Sequence, residues 1–277
     1  MRYLKRHELL SIGLGLLISA YHQGLLAQGE DNLQMASPDE DTLTITILYD
    51  NNPYDPILTS AWGFAALVEY CGQTLLMDTG GKGEILLGNM SCLDLNPLRI
   101  EHVFLSHAHG DHTGGLKNLL ATGARPTVYL LSSFPALFKR QLAELTTVIE
   151  TDQNQILGKR LFTTGDMDGQ VHEQTLVIES EHGLVIVTGC AHPGIVPIVA
   201  RARASFGDPV HLVMGGFHLR DKSETEIAAI LAEFRQLGVK WVAPCHCTGD
   251  RAIAMFAAEY RDNYIQAGVG KIIRIKP

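Results

Sequence analysis

The alternation of apolar and polar positions predicts a chain that switches repeatedly between strands and helices. "LTITILY" (Leu43–Tyr49) alternates and is rich in β-branched residues, which is typical of a strand. "FAALVEYCGQTLLMDTG" predicts a hairpin whose second strand ends at Asp78, and "QTLVIESEHGLVIVTG" predicts another hairpin. Shorter strands are predicted in "HVFLS", "TVYLL", "VHLVMGG", "KWVAPCHC" and "KIIRIK".

Apolar residues at helical spacing predict helices between these strands. The clearest is "SETEIAAILAEFRQLG", where Ser223 and Glu226 have the spacing of a capping box. A short helix is predicted in "GGLKNLLATG", with Thr113 as its N-cap, and others in "PALFKRQLAEL", "GIVPIVARARASFG" and "GDRAIAMFAAEYRD". Two β-rich halves that each end in β–α units predict an α+β domain, in which two sheets pack together with helices outside.

The N-terminal segment differs from the rest of the chain. "MRYLKR" is basic, and the twelve apolar residues after Glu8 are too few to span a bilayer comfortably. We therefore predict a signal peptide over residues 1–27, an acidic tether over 28–42 and one domain over 43–277. The protein is then periplasmic or secreted, and it contacts a membrane only if the N-terminal segment stays uncleaved.

Composition narrows the classes of partner. The net charge is −8, and no basic cluster stands out beyond the N-terminus, so we expect no nucleic-acid partner and a small-molecule substrate instead. The five cysteines are an odd number at scattered spacing, which is not a disulfide framework. They are Cys71, Cys92, Cys190, Cys245 and Cys247.

Candidate chemistry is concentrated in "LSHAHGDHTGG". His107 and His109 are two residues apart, so in extended chain both imidazoles face one side. Gly110 lets the chain turn, so that Asp111 and His112 project toward a neighbouring position. Imidazole and carboxylate at this density suit Zn²⁺, with Fe or Mn as alternatives. Four ligands in six residues fit two divalent metal ions better than one, and such a pair could share a hydroxide.

"HAHGDH" resembles the H-x-H-x-D-H motif of the metallo-β-lactamase superfamily, and "LLMDTG" resembles the strand that precedes that motif. The resemblance implies a four-layer αβ/βα sandwich of two mixed β-sheets. More narrowly, "GCAHPGI", "GGFHL" and "PCHCTG" are similar to a subfamily named for 7,8-dihydropterin-6-methyl-4-(β-D-ribofuranosyl)aminobenzene 5′-phosphate synthase, a methanopterin-precursor enzyme.

The resemblance also implies further metal ligands at later strand ends. His246 matches the late histidine of the superfamily, and His192 is expected to be a ligand as well. Cys190 stands where the superfamily usually has a bridging Asp, so either Cys190 or His192 could bridge the metals; we favour His192. His218 is interpreted as a ligand or as a proton donor to the leaving group. Asp78 is expected to hold the ligand loop by hydrogen bonds without touching metal.

Two neighbouring segments are interpreted more plainly. Cys245 and Cys247 could bind metal, form a disulfide or stay inert, but on a strand both would point away from the His246 side, which argues against ligation. "DNNP" after the first strand could line the pocket, although a plain turn is the favoured interpretation.

Three functions are consistent with these residues. The first is a dinuclear metal-dependent hydrolase, in which a metal-bridging hydroxide attacks an ester-like, phosphoester or lactone bond and Asp111 orients it. The second is a pterin-related condensing enzyme, against which the predicted export argues. The third is a metal-binding or redox-sensing protein without turnover, against which the intact Asp111 argues.

Overall fold

Two mixed β-sheets form the centre of the described part of the computed structural model, which covers residues 41–207 and 209–277. The predicted signal peptide and nearly all of the predicted tether lie outside these residues, so cleavage and localisation stay predictions. None of the helices in the described residues combines the length and apolar character that a membrane crossing needs.

The first sheet has the strand order β13-β1-β2-β3-β4-β5-β6 and is antiparallel up to β3 and parallel beyond it. Its strands are β1 (Leu43–Tyr49), β2 (Ala65–Tyr70), β3 (Gln73–Met77), β4 (His102–Phe104), β5 (Thr127–Leu130), β6 (Val148–Glu150) and β13 (Ile272–Ile275). The C-terminal strand β13 pairs with the N-terminal strand β1, so this sheet needs both ends of the domain.

The second sheet has the order β12-β11-β10-β9-β8-β7, with β10, β11 and β12 parallel. Its strands are β7 (Gln155–Gly158), β8 (Leu161–Thr163), β9 (Leu176–Ser180), β10 (Gly183–Thr188), β11 (Val210–Gly216) and β12 (Trp241–Cys245). The predicted "QTLVIESEHGLVIVTG" hairpin forms from β9 and β10.

Apolar side chains form three layers of core. The central layer lies between the sheets and includes Ile45, Val68, Val187 and Met214, all at most 1% exposed. The outer layers lie between each sheet and its helices. This follows from the strand sequences, because side chains alternate between the two faces and both faces of the central strands are apolar.

Helices cover the outer face of each sheet. Beside the first sheet lie α1 (Gly83–Cys92), α2 (Gly110–Thr113), α3 (Leu116–Ala121) and α4 (Ala136–Ala143), and beside the second lie α5 (Ile195–Phe206), α6 (Glu224–Gln236) and α7 (Asp250–Tyr260). Single 3₁₀ turns occur at Pro97–Arg99, His246–Thr248 and Arg261–Asn263. The predicted capping box at the start of α6 is confirmed: the Ser223 hydroxyl accepts from the Glu226 N–H, and the Glu226 carboxylate accepts from the Ser223 N–H.

Some local predictions were wrong. Thr113 is the last residue of α2 rather than the N-cap of the next helix, and its hydroxyl donates to the His109 carbonyl. Helix α1 and the short strands β6, β7 and β8 were not predicted. Strand β12 ends at Cys245, before His246, because the chain turns there into a 3₁₀ helix. That last difference bears directly on the candidate site.

Candidate metal centre

The candidate ligands lie just beyond the carboxyl ends of strands from both sheets. His107 follows β4 of the first sheet, and His192, His218 and His246 follow β10, β11 and β12 of the second. Parallel strands end at one edge of a sheet, and the two sheets face each other, so these ends form a common rim. Residues that are far apart in sequence therefore lie together in one cluster at this rim.

One group of side chains gathers around His107. Its Nε2 lies 3.1 Å from His109 Nδ1, and its ring centroid lies 4.7 Å from that of His192. The His109 and His192 centroids are 5.0 Å apart. His107, His192 and Cys190 each place a donor atom within 4.8 Å of the others. These residues can hold one cation.

A second group gathers around His112. The Asp111 carboxylate lies 3.7 Å from His112 Nε2 and 3.5 Å from His246 Nε2. The Cys190 Sγ is 3.3 Å from His112 Nε2, and Cys190, His112 and His246 also form a set within 4.8 Å. The HAHGDH motif thus divides between the groups, with His107 and His109 in one and Asp111 and His112 in the other.

Cys190 occupies the intermediate position between the two groups. It belongs to both sets of donor atoms, whereas His192 belongs only to the set around His107. Of the two residues predicted as alternatives for the bridge, Cys190 therefore lies between the two groups and His192 lies within one of them. The cysteine is buried, at 4% exposure.

Hydrogen bonds fix the orientation of the two motif histidines that are buried. Asp78 accepts from the Ser106 N–H at 2.8 Å and the Ser106 hydroxyl at 2.7 Å, and His112 Nδ1 lies 2.7 Å from the same carboxylate. With its own proton given to Asp78, the Ser106 hydroxyl accepts from His107 Nδ1 at 2.9 Å. His107 then carries its proton at Nδ1, and the Nε2 atoms of both histidines face the cluster.

Two more histidines are held in the same way by residues that were not predicted. His192 Nδ1 lies 2.8 Å from the Glu173 carboxylate, and His246 Nδ1 lies 2.9 Å from the Asn51 side-chain oxygen. Asn51 belongs to the "DNNP" segment, for which a plain turn was the favoured interpretation. Its amide also donates to the His246 carbonyl at 3.2 Å. No sequence signal marked Glu173, which lies in a polar stretch before β9.

Glu173 supports a whole turn of chain. Its carboxylate, fully buried, accepts from the backbone N–H groups of Cys190, Ala191 and His192 at 2.8–2.9 Å, besides the His192 ring. Burial alone would raise the pKa of Glu173, but the hydrogen bonds from His192 and from the backbone N–H groups, with the nearby His107 imidazole, lower it well below its usual range. Glu173 is therefore an anion that orders the turn carrying two candidate ligands.

Burial keeps the imidazoles of His107 and His246 neutral. Burial lowers the pKa of His107 to about 2, and positive charge at His112 lowers it further. Burial likewise lowers the pKa of His246 to about 2, with added contributions from His112 and Arg220. Neutral imidazoles offer lone pairs at neutral pH, which is the form that binds a metal.

A buried ligand atom without a hydrogen-bond partner in the described part of the chain, His246 Nε2, tests whether a cation fits. His246 Nε2 is buried without a hydrogen-bond partner among the described residues, and a buried lone pair of this kind costs free energy. It lies within reach of the Asp111 carboxylate, His112 Nε2 and the Cys190 thiol. Imidazole, thiol and carboxylate at this spacing are a donor set that Zn²⁺ and related divalent ions prefer, so the residues fit the implied metals.

The expectation that Cys247 points away from the cluster was wrong. Because β12 ends at Cys245, the 3₁₀ turn carries Cys247 back toward the site, where its Sγ lies within 4.8 Å of donor atoms of Cys190 and His218. His218 is exposed, and its ring centroid is 4.6 Å from that of His192. All five cysteines are free thiols in the described residues.

Four non-glycine residues at this rim adopt left-handed backbone conformations. The φ angles are 55° at Asp78, 61° at Ala191, 53° at His218 and 48° at His246. Such conformations cost about 1–3 kcal/mol each and persist only where surrounding contacts enforce them. These four strained residues lie together at the strand ends, where the backbone conformation orients side chains toward the candidate metal centre at a cost in stability.

Comparison with known proteins agrees with this geometry. A family model described as the metallo-beta-lactamase superfamily matches residues 63–246, a range that contains every candidate ligand. Among curated proteins, the chain is 29% identical to 7,8-dihydropterin-6-methyl-4-(β-D-ribofuranosyl)aminobenzene-5′-phosphate synthase of Methanocaldococcus jannaschii, over 83% of this chain and 95% of that protein.

Two solved structures share the fold. One is Tm1679, described as a metal-dependent hydrolase of the β-lactamase superfamily, with a TM-score of 0.72, 27% identity and coverage of 85% of this chain and 100% of that one. The other is the metallo-β-lactamase fold protein YhfI from Bacillus subtilis, with a TM-score of 0.61, 15% identity and coverage of 84% and 99%. The α+β sandwich of two mixed sheets that was predicted from the sequence is confirmed.

Proposed function

Because the chain belongs to the metallo-β-lactamase superfamily, we propose that it is a hydrolase that uses two divalent cations to cleave an ester-like, phosphoester or lactone bond. The observation that carries the proposal is the convergence of imidazole Nε2 atoms from both sheets, with a buried and unpartnered His246 Nε2 beside Asp111. The similarity to Tm1679, described as a metal-dependent hydrolase, supports the same class of reaction.

The residues divide into two sets of ligands in this proposal. His107, His109 and His192 would hold one cation, and Asp111, His112 and His246 would hold the other. Cys190, which lies between the sets, would bridge the two cations. Two bound divalent cations would supply an activated water and polarise the bond to be broken. Zn²⁺ is the proposed metal, since imidazole and thiol are among its preferred ligands.

Two side chains act on the substrate and the water. The Asp111 carboxylate, only partly buried, accepts a hydrogen bond from the attacking water and fixes its direction. The exposed His218 imidazole, beside His192, donates a proton to the departing oxygen. The supports beneath them, Asp78, Glu173, Ser106 and Asn51, hold the ligand imidazoles in one orientation.

Elemental analysis together with a substrate screen tests this proposal. The purified protein should carry two equivalents of metal and hydrolyse at least one member of a panel of aryl phosphoesters, aryl esters and lactones. Asp111→Asn should lower kcat by about 100-fold or more, because it removes a charged ligand that also orients the water. Asp262→Asn, the same change at an exposed position in the 3₁₀ turn that follows α7, should leave kcat unchanged. Two bound metals without turnover on the panel would contradict the proposal.

A second candidate is a condensing enzyme that joins a pterin to an aminobenzene ribofuranosyl phosphate. It is favoured by the similarity to the Methanocaldococcus jannaschii synthase, which extends over 95% of that protein. Mass spectrometry would detect the joined product after incubation of the metal-loaded protein with an activated dihydropterin and the aminobenzene riboside phosphate. Formation of that product without hydrolysis of the panel would select this candidate.

We also propose that the chain is exported after cleavage near residue 27, on the basis of the basic and then apolar N-terminal sequence. N-terminal sequencing of the protein recovered from the producing cell tests this. A start near residue 28 in a periplasmic or extracellular fraction is the expected result, and a cytoplasmic protein with an intact Met1 would contradict it.

A further inference from the structure

An aromatic ring and a guanidinium stand next to the candidate metal ligand His246. The Trp62 ring centroid lies 4.8 Å from that of His246, and the Arg220 Cζ lies 4.4 Å from the Trp62 ring. Trp62 is 45% exposed and Arg220 is exposed, so both can be reached from solvent. We call Trp62 and Arg220 the rim pair.

The backbone positions of the rim pair are fixed by segments of the metal centre. Gly63, with φ of 139°, packs so closely that a Cβ there would overlap the Asp111 carbonyl oxygen, and that oxygen accepts from the Phe64 N–H. Gly249, with φ of 83°, leaves the space in which the Arg220 backbone sits. Trp62 is therefore tied to the Asp111 turn, and Arg220 to the turn that follows His246.

A second arginine–aromatic pair, Arg235 and Tyr260, differs from the rim pair in the partners of its guanidinium. Arg235 lies 4.0 Å from the Tyr260 ring, and its guanidinium also binds the Glu259 carboxylate at 2.9 Å. Within the described part of the chain, no carboxylate pairs with Arg220 in this way. The fork of N–H donors on Arg220 thus stays available, whereas that of Arg235 is occupied.

The charge of Arg220 reaches the candidate metal centre. Its guanidinium lies over the Trp62 indole, which itself contacts the His246 ring. The edge of a planar guanidinium matches the oxygens of a phosphate two at a time, and the indole face that Arg220 leaves uncovered can stack on a planar group. In a chain of net charge −8, an unpaired cation beside the reaction centre selects for anions.

We propose that the rim pair binds the substrate, and that the substrate is a phosphoester bearing a planar ring: Arg220 holds the phosphate oxygens and Trp62 stacks on the ring. This inference rests on the proposed function, because it names the substrate class of the same site. It separates phosphoesters from the uncharged esters and lactones in the wider proposal.

A binding experiment tests the pair without turnover. Phenylphosphonate, which is not hydrolysed, is titrated into the metal-loaded protein while tryptophan fluorescence is recorded. Trp62 and Trp241 are the two tryptophans, so Trp62→Phe shows which one reports binding.

We expect Arg220→Gln to raise Kd about 10–100-fold, which is the size of one or two charge-assisted hydrogen bonds. Arg220→Lys should recover only part of the affinity, since lysine keeps the charge but lacks the fork. Arg235→Gln, the matched control, should bind as the wild type does.

A kinetic comparison separates failure of this inference from failure of the proposed function. With 4-nitrophenyl phosphate and 4-nitrophenyl acetate, Arg220→Gln should lower kcat/KM for the phosphate at least tenfold more than for the acetate, mainly through KM. Equal losses for both, together with unchanged phenylphosphonate binding, would overturn the rim-pair assignment while leaving hydrolysis established. If neither these esters nor any other member of the panel is hydrolysed, the proposed function fails, and the fluorescence titration alone decides the assignment. Unfolding midpoints equal to the wild type would show that the variants are folded.

Discussion

Replacing Glu173 by glutamine tests the support beneath the candidate centre most directly. The substitution keeps the shape of the side chain but removes its charge and exchanges one oxygen for an amide. One carboxylate oxygen accepts from the Cys190 and Ala191 N–H groups, and the other accepts from the His192 N–H and ring. Whichever oxygen is replaced, two buried donors face an amide that cannot accept.

The expected loss of stability follows from those two unpaired donors. A buried donor left without a partner costs about 1–3 kcal/mol, so Glu173→Gln should lower the free energy of unfolding by about 2–6 kcal/mol. At roughly 2–4 °C per kcal/mol for a domain of this size, the melting temperature falls visibly. The affinity for the cation held by His192 should also fall about 10–100-fold, as for other side chains that orient a ligand histidine.

Guanidinium denaturation of the metal-free protein measures the first effect, and a zinc titration measures the second. Glu179→Gln is the matched control, because it is the same change at an exposed position on the neighbouring strand β9, where the effect should stay within about 0.5 kcal/mol. The pKa of Glu173 is lowered in the folded chain, so its contribution is complete above its usual pKa of 4.5 and declines as pH falls below that value. Equal unfolding midpoints for the two variants at pH 7 would refute the reasoning.

Three further predictions concern the scaffold. Gly63→Ala should lower the melting temperature and abolish the proposed hydrolysis, because its Cβ would overlap the Asp111 carbonyl at a φ of 139°. Gly88→Ala, in open space on α1, should instead stabilise the protein by up to about 1 kcal/mol. Thermal unfolding of both variants checks this. Ser223→Ala removes a helix cap and should cost about 1 kcal/mol in urea unfolding, and no change would contradict the capping role. Burial, aided by nearby positive charge, lowers the pKa of His211 from 6.5 to about 4. The unfolded chain therefore binds a proton that the folded chain does not, and stability falls as pH drops from 6.5 toward 4. The melting temperature of His211→Gln should fall less over that range, and an equal fall in the melting temperatures of variant and wild type would show the prediction wrong.

Predictions from the sequence succeeded where the signal lies within a short stretch. The alternation in Leu43–Tyr49 and the helical spacing before Gln236 depend only on neighbours, and the structure has β1 and α6 there. The HAHGDH motif carries its spacing within six residues, which is why the family could be recognised from it. Strands of three or four residues, such as β6 and β8, are too short to show a period.

Two supports of the site, Glu173 and Asn51, were missed because their roles depend on contacts with distant parts of the chain, whereas Asp78 was predicted from its place before the motif. Glu173 is separated from its backbone partners by 17–19 residues, and Asn51 from His246 by 195 residues. A lone acid in a polar stretch is usually solvated, and an Asn after a strand is usually a turn residue. Cys247 was misjudged for a local reason, because the end of a strand two residues early reverses where a side chain points.

The contact between Asn51 and His246 has a consequence for biosynthesis. A growing chain exposes the motif around His107 when less than half of it has been made, yet His246 is synthesised near the end and β13, which completes the first sheet, is later still. A nascent or truncated chain could offer only a partial set of imidazoles to a passing ion. Under the proposed two-metal site, tight loading would therefore be reserved for a finished chain, and metal content would distinguish full-length molecules from prematurely terminated ones.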